Sequence, residues 1–98
     1  MDVLNIEALE KFKKKHNQAR KPLDIFESLL KNGQFSSYND LKKTFGSADL
    51  ARKCTIFDIS GNKYRVIAKI NYELEIVTIK YIFTHAEYDK WSAKNECC

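Results

Sequence analysis

The residues best placed to do chemistry stand near the end of the chain, in the run Thr84-His85-Ala86-Glu87-Tyr88-Asp89. Thr84 followed three residues later by Glu87 has the form of a capping box, which accounts for both without a catalytic role. The box opens a helix predicted over residues 85–94 and sets His85 and Tyr88, three apart, on one face of its first turn. A helix start favours anions, and imidazole is the side chain whose ordinary pKa lies nearest neutrality, which suits proton transfer. Two readings stand side by side here: a His–Tyr pair that moves a proton beside a phosphate, and an ordinary surface pair.

A second source of chemistry is the run Tyr64 to Tyr72. Period-two alternation puts Tyr64, Val66, Ala68, Ile70 and Tyr72 on one face and Arg65, Ile67, Lys69 and Asn71 on the other. On the following strand Val77, Ile79, Tyr81 and Phe83 form the apolar set, with Thr78 and Lys80 opposite. If register follows burial, Arg65, Lys69 and Lys80 converge on one sheet face that the helices leave open. Arg offers a planar fork to phosphate oxygens and Lys a point charge, so this face suits a phosphate. The same cations also suit a sheet that keeps itself soluble and blocks edge pairing.

The elements that must position these groups divide into a helical first half and a strand-rich second half. Asp2 to Leu4 reads as a short edge strand, and Asn5 as the N-cap of a helix carrying Ile6, Leu9, Phe12 and His16. Lys13 to Lys15 fall in its last turn, where cations suit the helix dipole, and read as a solvated face. Pro22 opens a second helix with Leu23, Phe26, Leu29 and Leu30, and Gly33 is expected to end it as a left-handed residue. Ser37 and Asp40 cap a short third helix carrying Leu41 and Phe45. Strands are predicted over residues 54–59, 64–72 and 75–84, joined by turns at Ser60-Gly61-Asn62 and at Glu73-Leu74, which makes an antiparallel meander. The fold class is α+β, and residues 1–98 are expected to form a single domain.

Composition narrows the function classes. The 98 residues are 44% hydrophobic and 31% charged, with 17 Lys and Arg against 13 Asp and Glu. That mixed balance argues for a folded chain, and the excess of +4 admits polyanionic partners without requiring them. No apolar run approaches the roughly 20 residues of a membrane span, and no signal pattern opens the chain. A soluble, cytoplasmic protein without a membrane partner is therefore expected. Cys54, Cys97 and Cys98 make no CxxC spacing and no disulfide framework, the terminal pair reading as exposed passengers. With His16 and His85 they form no recognisable metal-ligand set, so no metal is expected.

The run Phe57-Asp58-Ile59-Ser60-Gly61-Asn62-Lys63-Tyr64-Arg65-Val66-Ile67-Ala68, followed by the Thr84 to Asp89 motif, resembles the HigB family of toxin–antitoxin systems, within the RelE-like superfamily. Leu41 to Phe45 and the helical N-terminal half fit the same layout. The resemblance covers nearly the whole chain, and its specific part runs from about Lys53 to Asp89.

The resemblance implies helices packed on a small, twisted antiparallel sheet with a basic concave face and a short C-terminal helix. It implies an endoribonuclease that cuts messenger RNA during translation on the ribosome, without a small-molecule cofactor, and a HigA-like helix-turn-helix antitoxin as partner. The family's hairpin Arg falls on Arg65, which implies phosphate stabilisation. Its terminal His and Tyr fall on His85 and Tyr88, which implies proton transfer and base stacking or orientation. Lys80 follows as a second charge stabiliser, and Arg52, Lys53, Asn62, Lys63 and Lys69 as RNA contacts. Asp58 departs from the family pattern, which leads one to expect a neutral residue there. It either repels phosphate or orients a base. A non-catalytic basic module that binds RNA or protein, and a RelE-like toxin with another target, are the competing readings.

Overall fold

Two reversals organise the centre of the molecule. Ser60 and Gly61 take left-handed conformations in succession (φ 54 and 70), and the Lys63 N–H donates to the Ser60 carbonyl at 3.3 Å. Adding a Cβ at Gly61 meets no atom within 4 Å, so its glycine serves the positive φ and not a close contact. At the second reversal the Asn71 side chain accepts from the Leu74 N–H at 2.9 Å, and Glu75 has φ 56. The computed structural model describes residues 1–94, and in it these turns join β3 (Cys54–Ile59), β4 (Tyr64–Asn71) and β5 (Ile76–Thr84) as antiparallel neighbours.

Two short strands complete the sheet, in the order β1-β5-β4-β3-β2. β2 (Asp49–Ala51) pairs antiparallel with β3, a strand the sequence reading omitted. β1 (Asp2–Leu4) pairs parallel with β5, so the sheet is mixed and not the pure meander expected. The parallel pair is possible because the three N-terminal helices intervene between β1 and the rest of the sheet. No helix among the described residues is long and apolar enough to cross a membrane.

The helices are α1 (Ile6–Lys15), α2 (Arg20–Asn32), α3 (Tyr38–Thr44) and α4 (His85–Lys94). Ser37 caps α3 as its spacing predicts, its hydroxyl accepting from the Asp40 N–H at 3.2 Å. Asn5 caps α1 differently. It is left-handed, makes no side-chain cap bond, and donates from Nδ2 to the Ile79 carbonyl at 2.9 Å. Pro22 is the third residue of α2, still in the first turn, where its missing N–H costs no hydrogen bond. Gly33 is extended, with φ −88, and not the left-handed cap expected. A Cβ there would fall 2.4 Å from the Phe35 ring and 2.8 Å from the Leu29 carbonyl. Space, not backbone freedom, requires the glycine.

The main core lies between α1–α3 and one sheet face. Leu9, Leu23, Leu30 and Leu41 are fully buried against Phe57, Val66, Ala68, Val77 and Ile79. Phe57 packs edge-on between Phe26 and Phe45, with ring centroids at 4.9 and 5.1 Å. Burial of each such side chain is worth roughly 1.5–3 kcal/mol.

The second sheet face is not left open. Cys54, Ile56 and Ile67 are buried there, with Phe83, Tyr88 and Trp91 packed on them, and α4 supplies the last two. Cys54 is disulfide-bonded, where the cysteine spacing suggested no bridge. The reading of Cys97 and Cys98 lies outside the described residues.

A bulge reorders β5. Ala68 pairs with Ile79 but Ile67 pairs with Tyr81, so Lys80 stands between them without a cross-strand partner. The extra residue reverses the alternation beyond it. Val77 and Ile79 face the main core, whereas Phe83 packs with the cluster under α4 and Ile82 turns toward the core. The uninterrupted set Val77, Ile79, Tyr81 and Phe83 is therefore broken after its second member.

Candidate active site

Arg65 lies on the α4 side of β4, directly across from Asp58 on β3. Its Nε is 2.9 Å from Asp58 Oδ1, and the two side chains are 12% and 30% exposed. The guanidinium carbon sits 5.1 Å from the centroid of the Tyr88 ring, within range of a cation–π attraction. One terminal nitrogen, Nη1, reaches the Tyr64 carbonyl at 3.4 Å. Arg65 is thus held on its edge by a carboxylate and on its face by an aromatic ring. That leaves terminal N–H donors for another acceptor.

The first turn of α4 is set by the predicted capping box. Thr84 N–H donates to Glu87 Oε1 at 2.9 Å, and Glu87 N–H donates to Thr84 Oγ1 at 3.3 Å. The Thr84 backbone N–H accounts chiefly for a Glu87 carboxyl held below its usual range, against a smaller opposing effect of burial. A third bond fixes the helix start to the hairpin: the His85 N–H donates to the Lys63 carbonyl at 2.9 Å.

His85 itself faces solvent. Its side chain is 53% exposed, with Nε2 3.4 Å from Asp89 Oδ2 one turn later. Tyr88, three residues along, reaches Arg65 and packs beside Trp91 at 5.9 Å. The imidazole and the phenol ring share one helical turn, and the phenol ring meets the guanidinium through the cation–π contact. This set offers an exposed imidazole on the first turn of α4 and a cation held against Tyr88 of the same turn.

The remaining sequence candidates do not gather with them. Asn62 and Lys63 lie in the exposed turn at the Arg65 end of the β3–β4 hairpin. Arg52 and Lys53 occupy the turn before β3, and Lys69 lies four residues beyond Arg65 on β4, about 13 Å away at roughly 3.3 Å per residue. Lys69 instead borders a groove of about 450 Å³ with Asn71, Ile76 and Thr78. The expected convergence of Arg65, Lys69 and Lys80 on one open face is not found. Lys80, in the bulge, lines a separate concavity with Lys11 and Lys15 of α1. Among the described residues no three His, Cys, Asp or Glu side chains gather to hold a metal ion.

Residues 19–91 match a family described as HigB toxin, the RelE-like toxic component of a toxin–antitoxin system. The chain belongs to the HigB toxin family. It is 29% identical over 96 residues to the mRNA interferase toxin HigB of Escherichia coli strain K12, covering 95% of this chain and 92% of that protein. The mRNA interferases HigB of Escherichia coli O157:H7 and of Shigella flexneri match with the same figures. The family match spans Asp58, Arg65, Lys80, His85 and Tyr88 and begins beyond α1.

Within this HigB-family site, Asp58 is the residue whose part sequence reasoning left open. Its signal was nonetheless present. Counting back from the Ser60–Lys63 turn places Asp58 opposite Arg65, where opposite charges attract.

Proposed function

We propose that this HigB-family chain is an endoribonuclease that cuts messenger RNA and is restrained by an antitoxin. The observation that carries the reading is the Arg65 guanidinium, anchored by Asp58 beneath Tyr88, on the helix whose first residue is a solvent-facing His85. Membership in a family of toxic components and relatives named mRNA interferases support it.

In the proposed reaction a ribose 2′-hydroxyl attacks the adjacent phosphorus. The O2′–P bond forms, the P–O5′ bond breaks, and the products carry a 2′,3′-cyclic phosphate and a 5′-hydroxyl. One proton leaves O2′ and one must reach O5′. His85 is the exchanging group, positioned acid–base catalysis of this kind contributing roughly 10²–10⁴-fold. The free donors of Arg65 stabilise the charge that builds on the phosphorane oxygens. Tyr88 keeps the guanidinium in place and offers its remaining surface to a base. Asn62 and Lys63, at the same end of the hairpin, contact RNA. Arg52, Lys53 and Lys69, at the other end, hold more distant nucleotides or the ribosome. The partner is a HigA-like helix-turn-helix antitoxin.

The test is induction of the chain without a partner in bacteria, with mapping of messenger RNA 5′ ends. Growth arrest with new ends inside translated regions is expected, and Arg65→Ala or His85→Ala should abolish both at equal protein level. Arrest with intact messages would remove the nuclease. New ends persisting in both variants would remove these residues from the site.

A further inference from the structure

Lys80, the extra residue of the bulge, lines a different surface from Arg65. There it lines a concavity of about 340 Å³ with Lys11 and Lys15 of α1, over Ala8, Phe12, Tyr81, Ile82 and Phe83. Lys11 and Lys15 are one helical turn apart and so project side by side. Among the described residues no carboxylate lines this concavity. Lys13, Lys31 and Arg65 each have a carboxylate within 4.0 Å. Among the described residues Lys11, Lys15 and Lys80 have none. Three cations around one hollow, none of them in a close ion pair, repel one another, an arrangement that an anionic ligand would relieve.

The hollow also presents an aromatic surface. Tyr81 is 39% exposed and stacks on Phe83 with centroids 5.4 Å apart and rings 12° from parallel. Phe83 is the cross-strand neighbour of Arg65, so the hollow borders the candidate active site. Its other edge approaches the first turn of α4, where the charge of Lys15 is felt by Glu87. Cations that follow a backbone beside an exposed ring that a base can cover are the recurring means of holding unpaired nucleic acid. An acidic peptide would use the charges but has no need of an exposed stacked ring.

We propose that the concavity between α1 and the bulged half of β5 is a binding site for single-stranded RNA, with Lys11, Lys15 and Lys80 on phosphates and Tyr81 stacked on a base. It rests on the nuclease reading and extends it, giving the substrate a hold away from the scissile bond. Lys80 then belongs to substrate binding and not to catalysis.

The experiment measures anisotropy of a short fluorescein-labelled single-stranded RNA, fully 2′-O-methylated so that it cannot be cut, with the full chain across a salt series. The Lys11→Gln/Lys15→Gln/Lys80→Gln variant should bind at least tenfold more weakly at low salt. Its slope of log affinity against log salt should be shallower by about 2, three phosphate contacts at roughly 0.7 each. A control with Lys21, Lys42 and Lys43 changed to Gln loses the same charge and should keep the wild-type slope. Tyr81→Ala should weaken binding at least fivefold, and Tyr81→Phe should restore it.

Equal losses in the two triple variants, an unchanged slope, tighter binding of a duplex of the same length, or no binding by wild type would each overturn the site. So would loss of antitoxin binding with RNA affinity intact, which would make the hollow a protein interface. Binding does not depend on cleavage in this assay. A chain that binds here but cuts nothing keeps the site and loses the nuclease, and a chain that cuts but fails the slope test does the reverse.

Discussion

Asp58 and Arg65 face each other across the β3–β4 ladder with Oδ1 and Nε 2.9 Å apart, and this pair sets which way the guanidinium presents its remaining donors. In the proposed reaction a carboxylate near the phosphate is costly through repulsion, so its value there lies in orientation. A single pair of this kind, partly open to solvent, contributes on the order of 1 kcal/mol to stability. Misplacing a catalytic group by 1 Å costs on the order of 100-fold in rate. Asp58→Ala is therefore expected to lower the melting temperature by only about 4–8 °C and to lower the cleavage rate at saturating RNA by roughly ten- to a hundredfold. Asp58→Asn, which keeps an acceptor oxygen, should recover most of it. A rate equal to wild type in Asp58→Ala would show that Arg65 needs no such guide.

Tyr88 holds Arg65 from above through the face of its ring and also seals the small cluster on Ile67. Neither contact uses the hydroxyl. Tyr88→Phe should keep the cation–π contact, worth roughly 0.5–2 kcal/mol, and cleave within a few-fold of wild type. Tyr88→Ala should lose that contact and the packing together, lowering stability by about 2–4 kcal/mol and abolishing cleavage. Loss of cleavage in Tyr88→Phe with a normal melting temperature would assign the phenol a proton-transfer role in place of orientation.

Much of the chain could be read from its residues wherever the deciding interactions are local. The Thr84–Glu87 box, the Ser37 cap and the Ser60-Gly61 turn each involve neighbours within four positions, and each was legible. The errors fall where a distant residue decides. The bulge at Lys80 lies next to Ile79, whose carbonyl bonds the side chain of Asn5, 74 positions away. Period-two counting along β5 contains no sign of it, and so it set Lys80 in an uninterrupted alternation that the bulge breaks. The covering of Ile67 by α4 was hidden for a related reason: alternation marks which residues share a face, not what packs over it. Arg65 and His85 were singled out by type and motif, whereas the hollow lined by Tyr81, Lys11 and Lys15 is visible only along the three-dimensional path.

Lys13 shows the same limit within one run of three lysines. Lys14 and Lys15 are exposed, but Lys13 is 3% exposed and its Nζ meets Asp24 at 2.6 Å, Glu10 at 3.1 Å and Glu27 at 3.3 Å. Burial alone would lower the Lys13 pKa, yet the bonds to Asp24, Glu10 and Glu27 outweigh it and leave it raised above 10.5. Burial would raise that of Glu27, but Lys31 and Lys13 leave it lowered below 4.5. A raised lysine stabilises fully below its unfolded value, and that contribution is lost as pH climbs through the folded value. A lowered carboxyl stabilises above its unfolded value and loses its effect as pH falls through the folded one. Unfolding by denaturant should therefore show a plateau between roughly pH 5 and 10, with losses on both sides. Lys13→Met should flatten the alkaline loss and cost about 1–3 kcal/mol on the plateau, less than a fully buried pair because Glu10 and Asp24 stay hydrated. An alkaline limb of full size in that variant would mean that another group causes it.

Gly33 supplies a test in which two effects have opposite signs. Replacing glycine by alanine at an ordinary φ stabilises by about 0.4–1 kcal/mol, because the unfolded chain loses freedom. Gly33 has such a φ, at −88, so backbone conformation alone predicts a gain. The added methyl, however, would stand 2.4 and 2.6 Å from the Phe35 ring and 2.8 Å from the Leu29 carbonyl. Phe35 is itself buried and packed against Phe45 at 5.9 Å, which leaves the ring little room to withdraw. Relieving that overlap costs about 1–3 kcal/mol, more than the entropy returns. Gly33→Ala should therefore lower the unfolding midpoint, while Gly46→Ala, which meets nothing within 4 Å, should leave it unchanged or raise it. A gain in both would mean that Phe35 moves aside freely and that the end of α2 is less tightly packed than its contacts indicate.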